Sequence, residues 1–154
     1  MERLDAIMAV MEAAFDPYYR EAWNRNQVAD ALTLPNTHAL LIDSDSRVVD
    51  TPECKIAGFS LSRHVLDEEE LLLIAIVPRF RGQGIGTRLL AAQIEAARAR
   101  DCSKLFLEMR AGNPAETLYA RSGFEQIGTR RDYYTCSDGT KLDAQTFALP
   151  LKDD

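Results

Sequence analysis

The sequence predicts an α/β fold, a mixed central sheet of about six strands flanked by helices, and three observations carry that expectation. Leu71-Leu72-Leu73-Ile74-Ala75-Ile76-Val77 is a continuous apolar run of the kind found in a strand buried on both faces. A helical pattern follows, with Ile85, Leu89, Ile94 and Ala97 on one side. Leu105-Phe106-Leu107-Glu108-Met109 then reads as a second interior strand. Strand, helix and strand in that order form a crossover unit, which gives parallel pairing and a right-handed connection. At 154 residues the chain is expected to be one domain, residues 1–154.

The other elements follow in chain order. Leu4, Ile7, Met8, Met11 and Phe15 recur at helical spacing, so residues 4–15 read as an amphipathic helix that Asp16-Pro17 ends. Asn24, with Gln27 as its capping-box partner, opens a short helix to about Leu32, and Pro35-Asn36 breaks it. Residues 38–42 are a short apolar strand followed by the turn material Asp43-Ser44-Asp45-Ser46. Residues 55–64 read as a strand with Gly58 inside it. A charged turn at 67–70 makes that strand the antiparallel neighbour of the 71–77 run, which Pro78 stops. The next helix spans about 84–100. Asn113-Pro114 predicts an N-cap with proline at the first helical position, a helix through Arg121 and closure at Gly123. Residues 125–134 and 141–149 are two last strands joined at Ser137-Asp138-Gly139.

Composition excludes several functions. An apolar fraction of 46% and a charged fraction of 27% are those of a globular chain, and no apolar run is long enough to cross a bilayer. Met1-Glu2-Arg3-Leu4-Asp5 runs straight into helical periodicity without a secretion pattern, so a cytoplasmic location and no membrane contact are expected. A net charge of −6 argues against direct nucleic-acid binding, which needs a basic surface. It suits a basic partner such as a cationic peptide or polyamine. Cys54, Cys102 and Cys136 lack the close spacing of a zinc site and read as free thiols in a reducing compartment. His38 and His64 lie far apart without a carboxylate or cysteine pattern around them, so no metal is expected.

The chemistry concentrates in the loop after the 71–77 run. In Gly82-Gln83-Gly84-Ile85-Gly86, three glycines alternate at a helix N-terminus. There the first backbone N–H groups lack partners inside the helix and the dipole favours an anion. Glycine lets the backbone approach a phosphate closely, and Arg79, Arg81 and Arg88 bring positive charge to the same turn. A tight turn that merely joins strand to helix is the alternative. Neither common nucleotide motif is present. The third glycine of the dinucleotide fingerprint is replaced by Thr87 counting from Gly82, or by Leu89 counting from Gly84, and the Walker lysine is absent.

What the loop does carry is Arg-x-x-Gly-x-Gly, at Arg81, Gly84 and Gly86. This resembles the pyrophosphate loop of the GNAT N-acetyltransferases. The likeness covers residues 69–149, just over half of the chain. Its phrases are Ile74-Ala75-Ile76-Val77-Pro78, Gly84-Ile85-Gly86, Leu107-Glu108-Met109-Arg110, Leu118-Tyr119, Gly123-Phe124 and Arg130-Arg131-Asp132-Tyr133-Tyr134. They are most similar to the bacterial branch of the family that acetylates the N-terminal alanine of a ribosomal protein, whose Trp-Ser is resembled by Trp23-Asn24. The resemblance implies the GNAT fold, acetyl-CoA as cosubstrate without a metal, and a ribosomal-protein N-terminus as acceptor. It assigns Ile74, Ala75, Ile76, Arg81, Gly82, Gln83, Gly84, Ile85, Gly86, Thr87 and Asn113 to the cofactor. Pantetheine would add like an extra strand where two strands splay, and the N–H of Ile76 would polarise the acetyl carbonyl. Glu108 would be the base and Tyr119 the acid.

Those roles suit the reaction. Transfer from a thioester needs a free amine, a polarised carbonyl and a proton for the departing thiolate. A peptide α-amine has a pKa of about 8 and a lysine one of about 10.4, so an N-terminal amine asks less of the base. Glu108 shares a strand face with Phe106 and Arg110. A carboxylate among apolar neighbours is the better base, directly or through water, whereas pairing with Arg110 would make it structural. A phenol near pKa 10 can protonate a thiolate whose acid is near 8.5, or Tyr119 can simply pack its helix on the sheet. Asn113 can contact the cofactor or serve only as a cap.

The sequence also departs from the family pattern. The strand that usually precedes the first helix is short or missing, since Leu4 already belongs to a helix. Asn113 stands six residues before Tyr119, one fewer than that branch carries. Residues 43–53 look like an insertion. Two rival functions remain at this level: acetylation of a small amine or a lysine, and a non-catalytic acetyl-CoA-binding module, against which the retention of both Glu108 and Tyr119 counts.

Overall fold

The computed structural model describes residues 2–52 and 55–152; Met1, the Cys54 thiol and Glu53, the end of the 43–53 stretch, lie outside the described residues. Two helices, α1 (Arg3–Ala14) and α2 (Arg25–Leu32), lead into β1 (Thr37–Asp43), β2 (Val48–Val49), β3 (Ile56–Val65) and β4 (Glu68–Ile76). The crossover helix α3 (Ile85–Ala99) connects to β5 (Lys104–Arg110), and α4 (Glu116–Arg121) to β6 (Glu125–Thr135) and β7 (Lys141–Pro150). The strands form one seven-stranded sheet in the order β2-β1-β3-β4-β5-β7-β6. Among the described strands only β4 and β5 run parallel, as the crossover unit requires.

The sheet has one strand more than expected. Within the 43–53 stretch, β2 folds back on β1 through Leu41↔Val49 and Ile42↔Val48. The turn is closed by the buried Asp43, whose Oδ1 accepts the N–H groups of Asp45 and Arg47, both at 2.9 Å. A strand of two residues has no alternation to read, so the pattern hides it. Among the described residues no strand precedes α1.

Both predicted helix starts depend on asparagine, with different outcomes. Asn24 caps α2 in a complete capping box with Gln27, each side chain taking the other's backbone N–H at 2.8 Å. Asn113 does not cap α4. Its Oδ1 accepts the Ala115 N–H at 2.9 Å, closing a turn, and the helix begins at Glu116 with Ala115 at the cap position. Gly123, at φ 98°, closes α4 as expected, and the Phe124 N–H reaches back to the Tyr119 carbonyl.

Helices cover both faces. Under α1 and α2 lie Ile7, Met11, Val28, Leu41, Phe59, Leu61, Leu73 and Ala75. Leu90, Ile94, Leu105, Leu107, Met109, Tyr119, Phe124 and Phe147 form the core on the other side, with Ile42, Ile85 and Leu89 beside them. Cys102 and Cys136 are buried free thiols.

A β-bulge positions everything that follows. Leu61 pairs with Leu73 but Ser62 pairs with Leu71, so Leu72 is an extra residue in β4. The side-chain alternation therefore reverses: Leu71 joins the core beside α3, whereas Leu73 and Ala75 join the core under α1. An apolar run without alternation is what such a strand needs.

Candidate active site

The parallel ladder between β4 and β5 is short. It pairs Glu68↔Lys104, Glu69↔Leu105 and Glu70↔Phe106, and ends just before the bulge. Beyond it β4 continues to Ile76, bonded only to β3, while β5 continues to Arg110, bonded only to β7. A bulge bends and twists its strand, so the two backbones part there. Ladder bonds alternate along a strand. Because Val77 donates to the Ala57 carbonyl at 2.8 Å, the N–H and C=O of Ile76 face the open edge. The Ile76 carbonyl is taken there by Arg81 Nε at 3.0 Å.

The opening leads into a cleft of about 570 Å³, with the glycine loop at one end and α4 along one wall. Ile74, Ala75, Ile76, Arg81, Gly82, Gly84, Gly86, Thr87, Asn113 and Tyr119 all line it, so most of the residues singled out in the sequence converge. Gly82 and Gly84 have φ of 77° and 82°, the left-handed region that favours glycine. Gly84 occupies the cap position of α3, and the N–H groups of Ile85, Gly86 and Thr87 are the unpaired first donors of that helix. The loop is thus an anion cradle at the mouth of the splay.

Three residues of the loop act differently from the expectation. Ile85 is buried to 1% and packs into the core, leaving only its backbone for a ligand. Gln83 does not line the cleft; its side chain donates to the Arg79 carbonyl at 3.2 Å. Arg81 spends much of its guanidinium on structure, since Nη2 also donates to the Ala14 carbonyl at 3.0 Å. It ties the end of α1 to the end of β4 while its charge stays at the cleft.

Glu108 and Tyr119 lie on opposite faces of β5. Leu105, Leu107 and Met109 pack with Tyr119, and Glu108 alternates with them. Tyr119 is 6% exposed, lines the cleft and has no hydrogen-bond partner for its hydroxyl among the described residues. Burial, and then the negative charge of Glu21, push its phenol above the ordinary value, so it stays protonated. The apolar setting expected of Glu108 is absent. Its Oε2 lies 3.2 Å from Arg130 Nε and 3.4 Å from the Thr146 hydroxyl. The suspected partner Arg110 is engaged elsewhere, with Glu21 at 3.2 Å and stacked 3.5 Å above the Tyr19 ring.

Tyr19, Glu21 and Arg110 form a wall of the cleft that sequence reasoning missed. Arg110 and Glu21 are largely buried, at 11% and 19% exposure. The only signal was the aromatic and charged segment Tyr18-Tyr19-Arg20-Glu21 ahead of Trp23, a stretch without periodicity between two helices. Tyr134 sits near the same charges; burial first, then Glu108 and Glu21, push its phenol up to about 12. Asn113 keeps its side-chain NH₂ free of protein partners among the described residues, because only Oδ1 is used in the turn.

Comparison with known proteins agrees with this geometry. Residues 7–124 match the acetyltransferase (GNAT) family. The chain is 39% identical over 102 residues to the [ribosomal protein bS18]-alanine N-acetyltransferase of Haemophilus ducreyi, covering 66% of this chain and 70% of that one. It is 40% identical over 102 residues to the protein of the same name from Escherichia coli K12, covering 66% and 68%. The crystal structure of the ribosomal-protein-S18-alanine N-acetyltransferase from Escherichia coli superposes with a TM-score of 0.82 at 29% identity, over 100% of this chain and 92% of that one.

Proposed function

The chain belongs to the acetyltransferase (GNAT) family, and on that premise we propose that it moves the acetyl group of acetyl-CoA to the N-terminal α-amine of an alanine-starting ribosomal protein. Residues 1–154 act as one such domain, in the cytoplasm. The observation that carries the reading is the parting of β4 from β5 above the glycine loop, with the Ile76 N–H on the open edge.

The residues present fit coenzyme A. Its pyrophosphate suits the loop from Arg81 to Thr87, where positive-φ glycines and unpaired helix amides converge. The amide-bearing pantetheine arm suits the free edge at Ile74, Ala75 and Ile76 opposite the Asn113 amide. Bound there, acetyl-CoA supplies an acyl group already activated as a thioester.

The chain's own groups do the rest. The Ile76 N–H donates to the acetyl oxygen as negative charge develops on it. Glu108, directly or through water, takes the proton from the acceptor ammonium, and its contacts with Arg130 and the Thr146 hydroxyl hold the carboxylate in place. Tyr119 donates its phenolic proton to the departing sulfur. Burial makes it a weaker acid, but the thiolate leaves into the same dry pocket and becomes a stronger base for the same reason.

Coenzyme A release tests the acceptor, using synthetic peptides with different N-termini alongside lysine peptides and polyamines. A preference for a free N-terminal alanine is expected. Turnover with small amines or lysine alone would overturn the peptide reading, and saturable acetyl-CoA binding without turnover would leave a binding module.

A further inference from the structure

A second constellation lies on the α3 face of the sheet, at the end of α3 remote from the glycine loop. Strand register brings it together. His38 stands opposite Ser62, which makes His64 its diagonal neighbour, and His64 stands opposite Glu69. The two histidines are 26 residues apart in sequence, yet His38 Nε2 lies 2.7 Å from His64 Nδ1 with the rings within 12° of parallel. Ligand atoms of His38, His64 and Glu69 all lie within 4.8 Å of one another. Arg100, which binds Glu69, closes a helix of 15 residues whose other end holds the cradle, so the cluster is about 20 Å from the acetyl-CoA cleft.

The surroundings fix the carboxylate of the cluster in place. Glu69 is fully buried. Its Oε1 accepts Arg100 Nε at 2.7 Å; Oε2 accepts Arg100 Nη2 at 2.8 Å and Gln93 Nε2 at 2.5 Å. Gln93 is itself fixed by the Ser60 hydroxyl at 2.9 Å. A carboxylate offers about four acceptor positions, so one remains on Oε1. Ser62, fully buried between the strands of His38 and Glu69 and close to the Glu69 carboxylate, has a hydroxyl with no hydrogen-bond partner among the described residues.

We infer that His38, His64 and Glu69 form a binding site for a divalent cation of the zinc class, independent of the acetyl-transfer site. Two imidazole nitrogens and one carboxylate oxygen are the donors such ions take, with water at the fourth position. On binding, the hydrogen bond between the histidines breaks and their nitrogens part to roughly 3.4 Å, as bonds of about 2.0–2.1 Å in a tetrahedron require. Both rings are partly exposed and have room to turn.

The test is titration of the purified chain with Zn²⁺ by calorimetry and with Co²⁺ by visible absorption. One equivalent of Zn²⁺ is expected, with a tetrahedral Co²⁺ spectrum. His38→Ala and His64→Ala should each weaken binding about 100-fold or more, the upper range for a lost outer-sphere partner being a floor for a lost ligand. Both variants should bind acetyl-CoA as the parent does, which shows that they fold. No Zn²⁺ uptake, undiminished uptake in both histidine variants, or uptake abolished only by Cys54→Ser, Cys102→Ser or Cys136→Ser would each overturn the inference.

Discussion

Glu108 on β5 and Arg130 on β6 meet at 3.2 Å across the intervening strand β7. Thr146, opposite Glu108 in the ladder, touches the same carboxylate oxygen. The Glu108 carboxylate is therefore held on two sides rather than left among apolar groups. Glu108→Gln should lower turnover by roughly 10²–10⁴-fold while acetyl-CoA affinity stays nearly intact. Arg130 is 62% exposed, and its field is screened by salt, so Arg130→Met should change turnover only a few-fold, less at high salt. Steady-state kinetics at two ionic strengths check both. An unchanged Glu108→Gln enzyme would remove that residue from its role.

Two glycines of the loop should respond in opposite ways. Gly84 has φ 82° with open space around its missing side chain, so Gly84→Ala costs about 1–2 kcal/mol from backbone strain. Gly86 lies in the first turn of α3 with an ordinary helical φ. A Cβ there would sit 3.6 Å from Ile76 Cγ1 and 3.7 Å from Leu118 Cδ2, both normal contacts. Gly86→Ala should raise stability by about 0.5–1 kcal/mol, as alanine does in a helix. Its methyl would stand in the cradle and weaken acetyl-CoA binding. Thermal melts with calorimetry on the same samples decide the matter; a stable Gly86→Ala protein with parental affinity would show that the cradle does not hold the phosphates.

The crossover unit, the glycine loop and the Asn24 cap were legible because each is a local pattern: periodicity, spacing, or a residue three positions from its partner. The splay was not. It comes from the extra residue Leu72, and an apolar run looks the same with a bulge or without one. Glu108's true partner was also hidden, because the register that brings Arg130 across β7 is set by long-range pairing. The same blindness applies to His38 and His64. Nothing in their flanking residues hints at the β1–β3 register that places them side by side.

Gly58 offers a test of the link between β3 and the cleft. A Cβ at Gly58 would lie 2.6 Å from the Ala75 carbonyl oxygen, 3.3 Å from Ile42 Cγ2 and in collision with the Ile76 side chain. Gly58→Ala should destabilise the protein by about 1–3 kcal/mol, the usual cost of overpacking. The displaced segment carries the open edge, so the variant should also show a higher KM for acetyl-CoA at temperatures where it remains folded. A destabilised variant with unchanged KM would separate the packing of β3 from the position of Ile76.

Tyr119 should be visible in both kinetics and stability. Its phenol is raised above the ordinary value of about 10, chiefly by burial and then by Glu21. A group whose folded pKa is raised contributes stability that is fully present below the unfolded value and lost as pH rises through the folded one. The melting temperature should thus fall above about pH 10, and less steeply in Tyr119→Phe. Tyr134, raised to about 12, adds a slope in the same direction, so the difference between variant and parent reports Tyr119. In turnover, a donor that stays protonated gives no descending limb of its own below about pH 10, and Tyr119→Phe should lose about 10²-fold or more. Parental turnover in Tyr119→Phe, alongside the predicted stability change, would leave Tyr119 as packing alone and require another proton source for the sulfur.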